Sequence, residues 1–546
     1  MNRNYVTFLI GAFLVIVVSQ FFIVPPKDDK LSSQTKDDRA ITQEKVDEEF
    51  SVEEESYALP EENILDEERL SYERYVSFST PLYEGKISTI GGKILDVNLK
   101  TYFEDPESNF FVKLLQKREF LSNTIIKAKD VEIPKDIKFV PNTNNIVVSS
   151  RERSLSLISK IGDIKLEKNY LFKPDSHGIE QRIIVTNNSN TNLKFRVFEE
   201  SIGLIKQKEY SLFNYYVDDE MESVDSNPSE AEKIIGGINW YGFAKKYFLA
   251  FNIINLEGDK TLKYGKSSKN YMRSVLSYRG INLKPGSQYT ISSTIFLGPK
   301  DRGILKKFGN NFEKAQDLGW VEWLAVPLEQ LLKFSNKFIN NYGLSIIFIT
   351  ILIRLLFLPL TVKSMMSMKK MQAKMAIIKP QIDAIKEKYK DDKTTQNSET
   401  MKVYSKEGMN PLSSLSGCLP MLIQLPVFVA LYYVLLYSID LRHTAFLWMS
   451  DLSSPENLFD IPGIGIPFRV LPLLMGASWF LTQKLTPPNP GADEFQTKMF
   501  QYMPIIFTVM FWGLPSGLIL YWTVSNVISI FQQLYINNKF NKMQGA

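Results

Sequence analysis

One cysteine, Cys418, and two histidines, His177 and His443, are all that 546 residues contain of these types. A single thiol excludes an intrachain disulfide framework. Two distant histidines leave little material for a metal centre or a His-based catalytic pair. No Walker-type phosphate loop occurs, so this chain is not expected to hydrolyse nucleotides. The expectation is therefore no enzyme, no catalytic residue, no metal and no cofactor. Net charge is nearly missing as well, at +4, and nothing points to a specific nucleic-acid sequence. Deep within the long apolar runs there is no Asp, Glu or His, the residues on which ion-coupled carriers usually depend.

What is abundant is apolar length in blocks. Tyr342 to Val362 reads YGLSIIFITILIRLLFLPLTV, 21 residues with a single charge, Arg354. Such a run suits a helix crossing a hydrocarbon core of about 30 Å. A cation there costs roughly 2.5–3.5 kcal/mol on insertion scales, and a guanidinium does not escape by losing its proton. Arg354 must face water, a polar partner or a cavity, with Thr350 one turn before it on the same face.

In chain order, Tyr5 to Val24 reads as an uncleaved signal anchor within 1–26. Residues 27–74 carry 17 acidic and 7 basic side chains, the composition of a solvated, disordered linker. Residues 75–310 show short alternating runs such as Leu193–Val197, Ile183–Thr186, Asn145–Ser149 and Tyr289–Leu297. With no helical period for over 200 residues, an antiparallel β-sandwich is expected. Residues 311–341 hold an amphipathic helix with Trp320 and Trp323, suited to the headgroup zone. A first core span at 342–363 leads to a helical hairpin at 364–411 with ten lysines against six acids, placed in the cytoplasm by the positive-inside rule. Its Met365, Met368 and Met371 form either a soft apolar-binding surface or ordinary packing, beside Lys369 and Lys370. Further spans are expected at 412–439, at 467–485 and, as a pair, within 500–537. They are separated by an outer loop, 440–466, and a cytoplasmic loop, 486–499, before the tail 538–546. The total is six transmembrane helices, with both termini cytoplasmic and the β domain outside.

Polar residues recur inside these spans. Trp522, Asn526 and Ser529 follow helical spacing on the last one, with Tyr521 and Ser525 beside them. Gln424 lies in the third span and Thr508 in the fifth. Interhelical hydrogen bonding accounts for single Ser or Thr residues, but it does not account for Arg354, which has no acidic partner in any expected span. A solvent-accessible concavity receiving an acidic or polar visitor follows.

Three segments, GLSIIFITILIRLLFLPLT, NPLSSLSGCLPMLIQLPVFVALYYVL and FWGLPSGLILYWTVSNVISIFQQ, closely resemble the bacterial YidC insertases of the Oxa-type superfamily, in their Gram-negative form. WYGFAKKYFLAFN and Gly298-Pro299-Lys300 add to the likeness, which covers essentially the whole chain. The resemblance implies a polytopic α-helical core with a periplasmic antiparallel β-supersandwich, in the bacterial inner membrane. It implies a hydrophilic groove open to the cytoplasm and lipid, where Arg354, Thr350, Gln424, Tyr521, Trp522 and Asn526 meet the substrate. Relatives commonly carry tyrosine at the position of Trp522. Phe428 and Phe507 are expected on a hydrophobic slide for the apolar segment. The implied function is insertion and folding of nascent membrane proteins, alone or with the Sec translocon. Implied partners are nascent chains, the lipid bilayer, Sec components and the translating ribosome. The two rival readings are a transporter or channel and a membrane-anchored periplasmic carbohydrate-binding protein.

Overall fold

The computed structural model describes residues 73–544 apart from 107, 207–210, 225–227, 229–230, 269, 407–418, 464 and 487–493. The expected signal anchor, nearly all of the acidic linker, and Asn410, Pro411 and Cys418 lie outside the described residues. The chain forms two compact units, Met1–Gln316 and Asp317–Ala546.

In the first unit, alternation of apolar and polar residues gives strands with one buried face, as in Ile164–Phe172, where every second side chain is buried. Two sheets result. One has eleven strands running from Glu232–Gly236 at one edge, through Leu193–Leu204 and Phe120–Ala128, to Asn145–Val147 at the other. The second has nine, with Gln288–Pro299 and Gly178–Asn187 near its middle. The described pairings are antiparallel except that between Tyr75–Ser79 and Asn145–Val147, which is parallel. The sheets face each other: Phe78 of one packs on Phe172 of the other at 5.1 Å. Trp240, Tyr216, Phe251 and Phe296 form an aromatic core closed by Leu305, Phe312 and Ala315 from the segment that follows the last long strand.

Between the sheets lies a buried polar network. The Lys168 ammonium donates to Gly91 O at 3.2 Å, to Ser122 O, and to Ser122 Oγ at 3.3 Å. Glu199 accepts from Ser122 Oγ and Tyr278 Oη, each at 2.7 Å, and from Gln181 Nε2. Burial pushes the Lys168 ammonium down, to about 7, against the opposing pull of the Glu199 carboxylate.

The second unit is helical: α1 Glu322–Ile339, α2 Tyr342–Lys388, α3 Lys393–Lys406, α4 Leu419–Tyr437, α5 Val470–Leu485, α6 Glu494–Met510 and α7 Ser516–Gln544. Asn340 in the left-handed region ends α1, and the next residue, Asn341, caps α2 by accepting from Leu344 N at 3.0 Å. Asp392 starts α3, accepting from the amides of Thr394 and Thr395 at 3.1 and 3.0 Å.

Several expected boundaries shift. The helix carrying Arg354 does not end at 363; α2 continues unbroken through the first arm of the hairpin. The residues Phe312–Ala315, expected in the interfacial helix, instead form a 3-10 turn packed in the β unit. The fifth span was measured as an apolar run from Phe500, yet α6 starts at Glu494, inside the expected cytoplasmic loop. Among the described residues, one helix, α2, is long and apolar enough to cross a membrane, with Gln424–Tyr437 a shorter apolar stretch.

Candidate functional site: a donor-rich cluster between helices

α2 brings Arg354 to the face of α7 that carries Tyr521 and Ser525, which are four residues apart and so share a face. Arg354 Nε donates to Ser525 Oγ at 2.8 Å, and Nη2 donates to the same oxygen. Gln424 of α4 donates to Ser525 Oγ at 3.2 Å and to Tyr521 Oη at 3.4 Å. Ser525 and Tyr521 are buried, whereas Arg354 and Gln424 are half-buried. Thr350 has no exposed surface, and its hydroxyl donates to Ile346 O at 2.7 Å within its own helix. Its hydroxyl is not among the hydrogen bonds of the cluster.

The chemistry is unbalanced. Arg354 offers five N–H donors and Gln424 two, while the nearby side-chain acceptors are two hydroxyl oxygens and the Gln424 carbonyl. No Arg354 nitrogen belongs to the buried polar atoms that lack a partner. The remaining terminal nitrogen, Nη1, is thus neither buried nor committed to Ser525.

Two other predicted site residues belong to different neighbourhoods. Trp522 sits about 100° further round α7 than Tyr521, in an aromatic cluster with Phe428 at 4.6 Å, Phe511 at 5.0 Å and Trp479 at 5.5 Å. Phe507 joins through Trp479 at 4.9 Å. Asn526 ties α7 to α5, donating to Ser478 Oγ at 3.2 Å and Met475 O at 3.4 Å. The sequence counts Ser525 among the polar residues expected to line the concavity, without marking it as Arg354's partner, and gives no sign of Ser478. The four-residue spacing of Tyr521 and Ser525 was the available signal.

In the hairpin, Met368 and Met371 are buried, and Met371 packs with Ile378 and Ile382 against Val403 and Tyr404 of α3. Lys369 lies over the Phe540 ring of α7 at 5.1 Å, Lys370 is exposed, and Met365 is half-buried. At the opposite end of the bundle, Glu456 caps α5 by accepting from Leu471 N at 2.7 Å and Val470 N at 3.1 Å, and it also accepts from Trp448 Nε1 at 2.6 Å. The same loop meets α7 where Gly517 N donates to Leu452 O at 2.8 Å.

Among the described residues no group of His, Cys, Asp and Glu could hold a metal ion. What the two units define is a helical membrane protein with a donor-rich polar cluster between apolar helices and a separate β-sandwich. The family model "60Kd inner membrane protein" matches residues 334–543, and "YidC periplasmic domain" matches 75–331. The membrane protein insertase YidC of Pelobacter propionicus is 37% identical, over 85% of this chain and 87% of its own. That of Geobacter sulfurreducens is 34% identical over 85% and 86%. A solved structure of active YidC insertase aligns with 84% of this chain and 92% of its own, at 18% identity and a TM-score of 0.34. The chain belongs to the YidC family of membrane protein insertases. It is a non-enzymatic inner-membrane insertase with a periplasmic β-sandwich domain and a helical C-terminal region. Neither the channel nor the carbohydrate-binding alternative is favoured by these matches.

Proposed function

We propose that the Arg354 cluster is where the insertase receives the polar tail of an inserting chain. The carrying observation is the surplus of donors: the guanidinium is fastened to Ser525 along one edge and has no protein partner at its other terminal nitrogen among the described residues. A peptide entering lipid carries carbonyls and carboxylates whose uncompensated transfer costs several kcal/mol each. Arg354 and Gln424 replace part of that lost hydration. The apolar segment of the substrate travels along the side of the bundle bearing Phe428 and Phe507, with Trp522 behind them. Its final burial, on the order of 25 cal/mol per Å² of apolar area, supplies the drive.

In this reading the chain has six transmembrane helices, the first being the N-terminal anchor at 1–26. Both termini and the α2–α3 hairpin are cytoplasmic. α1 lies at the outer interface, supported by exposed Trp323 and Phe338 opposite its buried Leu328 and Leu332. Asn526 belongs to the wall of the groove. The Sec translocon is the partner for larger substrates. The translating ribosome docks through the lysine-rich hairpin, including exposed Lys370 and half-buried Lys369.

The test compares Arg354→Glu with Arg354→Gln on single-span substrates whose translocated tails are acidic or neutral. Loss confined to acidic tails with Arg354→Glu identifies charge attraction. Equal loss for both tails identifies hydration alone. Unimpaired insertion in both variants refutes the site.

A further inference from the structure

Arg354 has two usable edges: Nε with one Nη, and the pair of Nη nitrogens at its end. The structure commits the first edge to one oxygen. Both Nε, at 2.8 Å, and Nη2 donate to Ser525 Oγ. Among the described residues no other hydrogen bond of Arg354 is found, and none of its nitrogens is buried without a partner. Ser525 is 1% exposed, so water does not substitute for it there. Gln424 donates to the same oxygen at 3.2 Å and to Tyr521 Oη at 3.4 Å, joining a third helix to the arrangement. The long side chain of Arg354 has four rotatable bonds and would otherwise lose much entropy on being held still.

We propose that Ser525 is the positioning residue of the insertase: it holds the side edge of Arg354 so that the end edge is presented to the incoming chain. An oxygen pair arriving at that edge, a carboxylate or two successive peptide carbonyls, is met in the bidentate geometry that guanidinium favours. Ser525 does not touch the substrate; it acts through Arg354. The proposal rests on Arg354 being the receiving group.

The experiment uses the full-length protein in membranes with S525A, S525T, R354A and the S525A/R354A pair. One readout is labelling of Arg354 by phenylglyoxal, which attacks the terminal nitrogens, followed by peptide mass spectrometry. The other is insertion of an acidic-tailed single-span substrate. Losing the fastening exposes Nη2, so S525A labels faster, by about ten-fold if one charge-assisted hydrogen bond is lost, and S525T restores the slow rate. Insertion falls in S525A, recovers in S525T, and is no lower in S525A/R354A than in R354A alone. Should S525A fail to accumulate, S525C, a weak acceptor, makes the same comparison. Labelling that ignores S525A overturns the positioning role. An equal extra loss from S525A in the R354A background also overturns it, because the serine would then act without the arginine. Normal insertion by R354A while labelling still responds to Ser525 refutes the groove reading and leaves the positioning contact standing.

Discussion

Gly343→Ala tests how tightly the outer loop is fastened to the helix that carries Arg354. Gly343 is in the first turn of α2, and a Cβ built there falls 2.1 Å from Phe446 Cγ and 2.3 and 2.6 Å from its two Cδ atoms. The methyl group would lie inside the ring. Phe446 cannot step back freely, because its backbone exchanges two hydrogen bonds with Met449 at 2.8 and 2.9 Å, and Leu452 N donates to Thr444 O at 3.0 Å. Overpacking of this kind costs about 1–3 kcal/mol. Helix propensity returns less than about 1 kcal/mol, since the position is in the first turn. The net cost should lower the apparent Tm of the purified full chain by roughly 3–8 °C. Phe446→Leu, which vacates the space, should suppress most of the Gly343→Ala effect, leaving a coupling of about 1–2 kcal/mol between the two changes. Thermal unfolding in detergent, followed by tryptophan fluorescence, measures all four proteins of the cycle. Additive effects, or a Gly343→Ala protein more stable than the parent, would refute the close packing of loop on helix.

Other consequences are equally specific. Lys168→Met should destabilise the β unit by about 3–5 kcal/mol, because it leaves Gly91 O and Ser122 O without their donor inside the sandwich. With Lys168 held at about 7 in the folded state and near its ordinary value when unfolded, the unfolded chain binds more protons between those values. Stability of the parent should therefore rise with pH from about 7 towards 10 and be flat below 7 as far as this group is concerned, and that slope should vanish in Lys168→Met; chemical unfolding at several pH values measures it. Gly476→Val should separate α5 from α6, since a Cβ there meets Thr508 Oγ1 at 2.1 Å; cysteine crosslinking between the two helices should fall several-fold. Trp522→Phe should insert substrates nearly as well as the parent while Trp522→Ala does not, because the aromatic cluster needs a ring there and not a hydrogen-bonding group; pulse-labelled insertion assays decide this.

Much of the architecture was readable because it rests on local periodicity. Alternation marked the strands around Leu193 and Tyr289, and the uninterrupted apolar run around Arg354 marked the organising helix. Boundaries read from composition were displaced for a physical reason. The change from leucine and isoleucine to methionine and lysine after Val362 reports a change of surroundings, and the backbone of α2 runs straight through it. The same holds for α6, whose polar first turn precedes the apolar residues that were counted. Side-chain partners were the least legible. Arg354 and Ser525 are separated by 171 positions, and no local pattern announces that the arginine without an acidic partner is met by a serine. The family resemblance places Tyr521 and Trp522 together at the groove, yet adjacent helical residues point about 100° apart, and they face a polar cluster and an aromatic one respectively. Thr350, expected beside Arg354 as a polar neighbour, spends its hydroxyl on its own helix.

The central claim is that an inserting chain brings its polar tail to the Arg354 cluster. Gln424, half-buried and hydrogen-bonded to both Tyr521 and Ser525, is the place to ask. A photo-crosslinking residue at position 424 is compared with one at Leu356, 72% exposed on the outer surface of α2, using a ribosome-stalled single-span substrate. Capture of the substrate's polar tail at 424 and little or none at 356 is the predicted result; capture of that tail at 356 with none at 424 would contradict it.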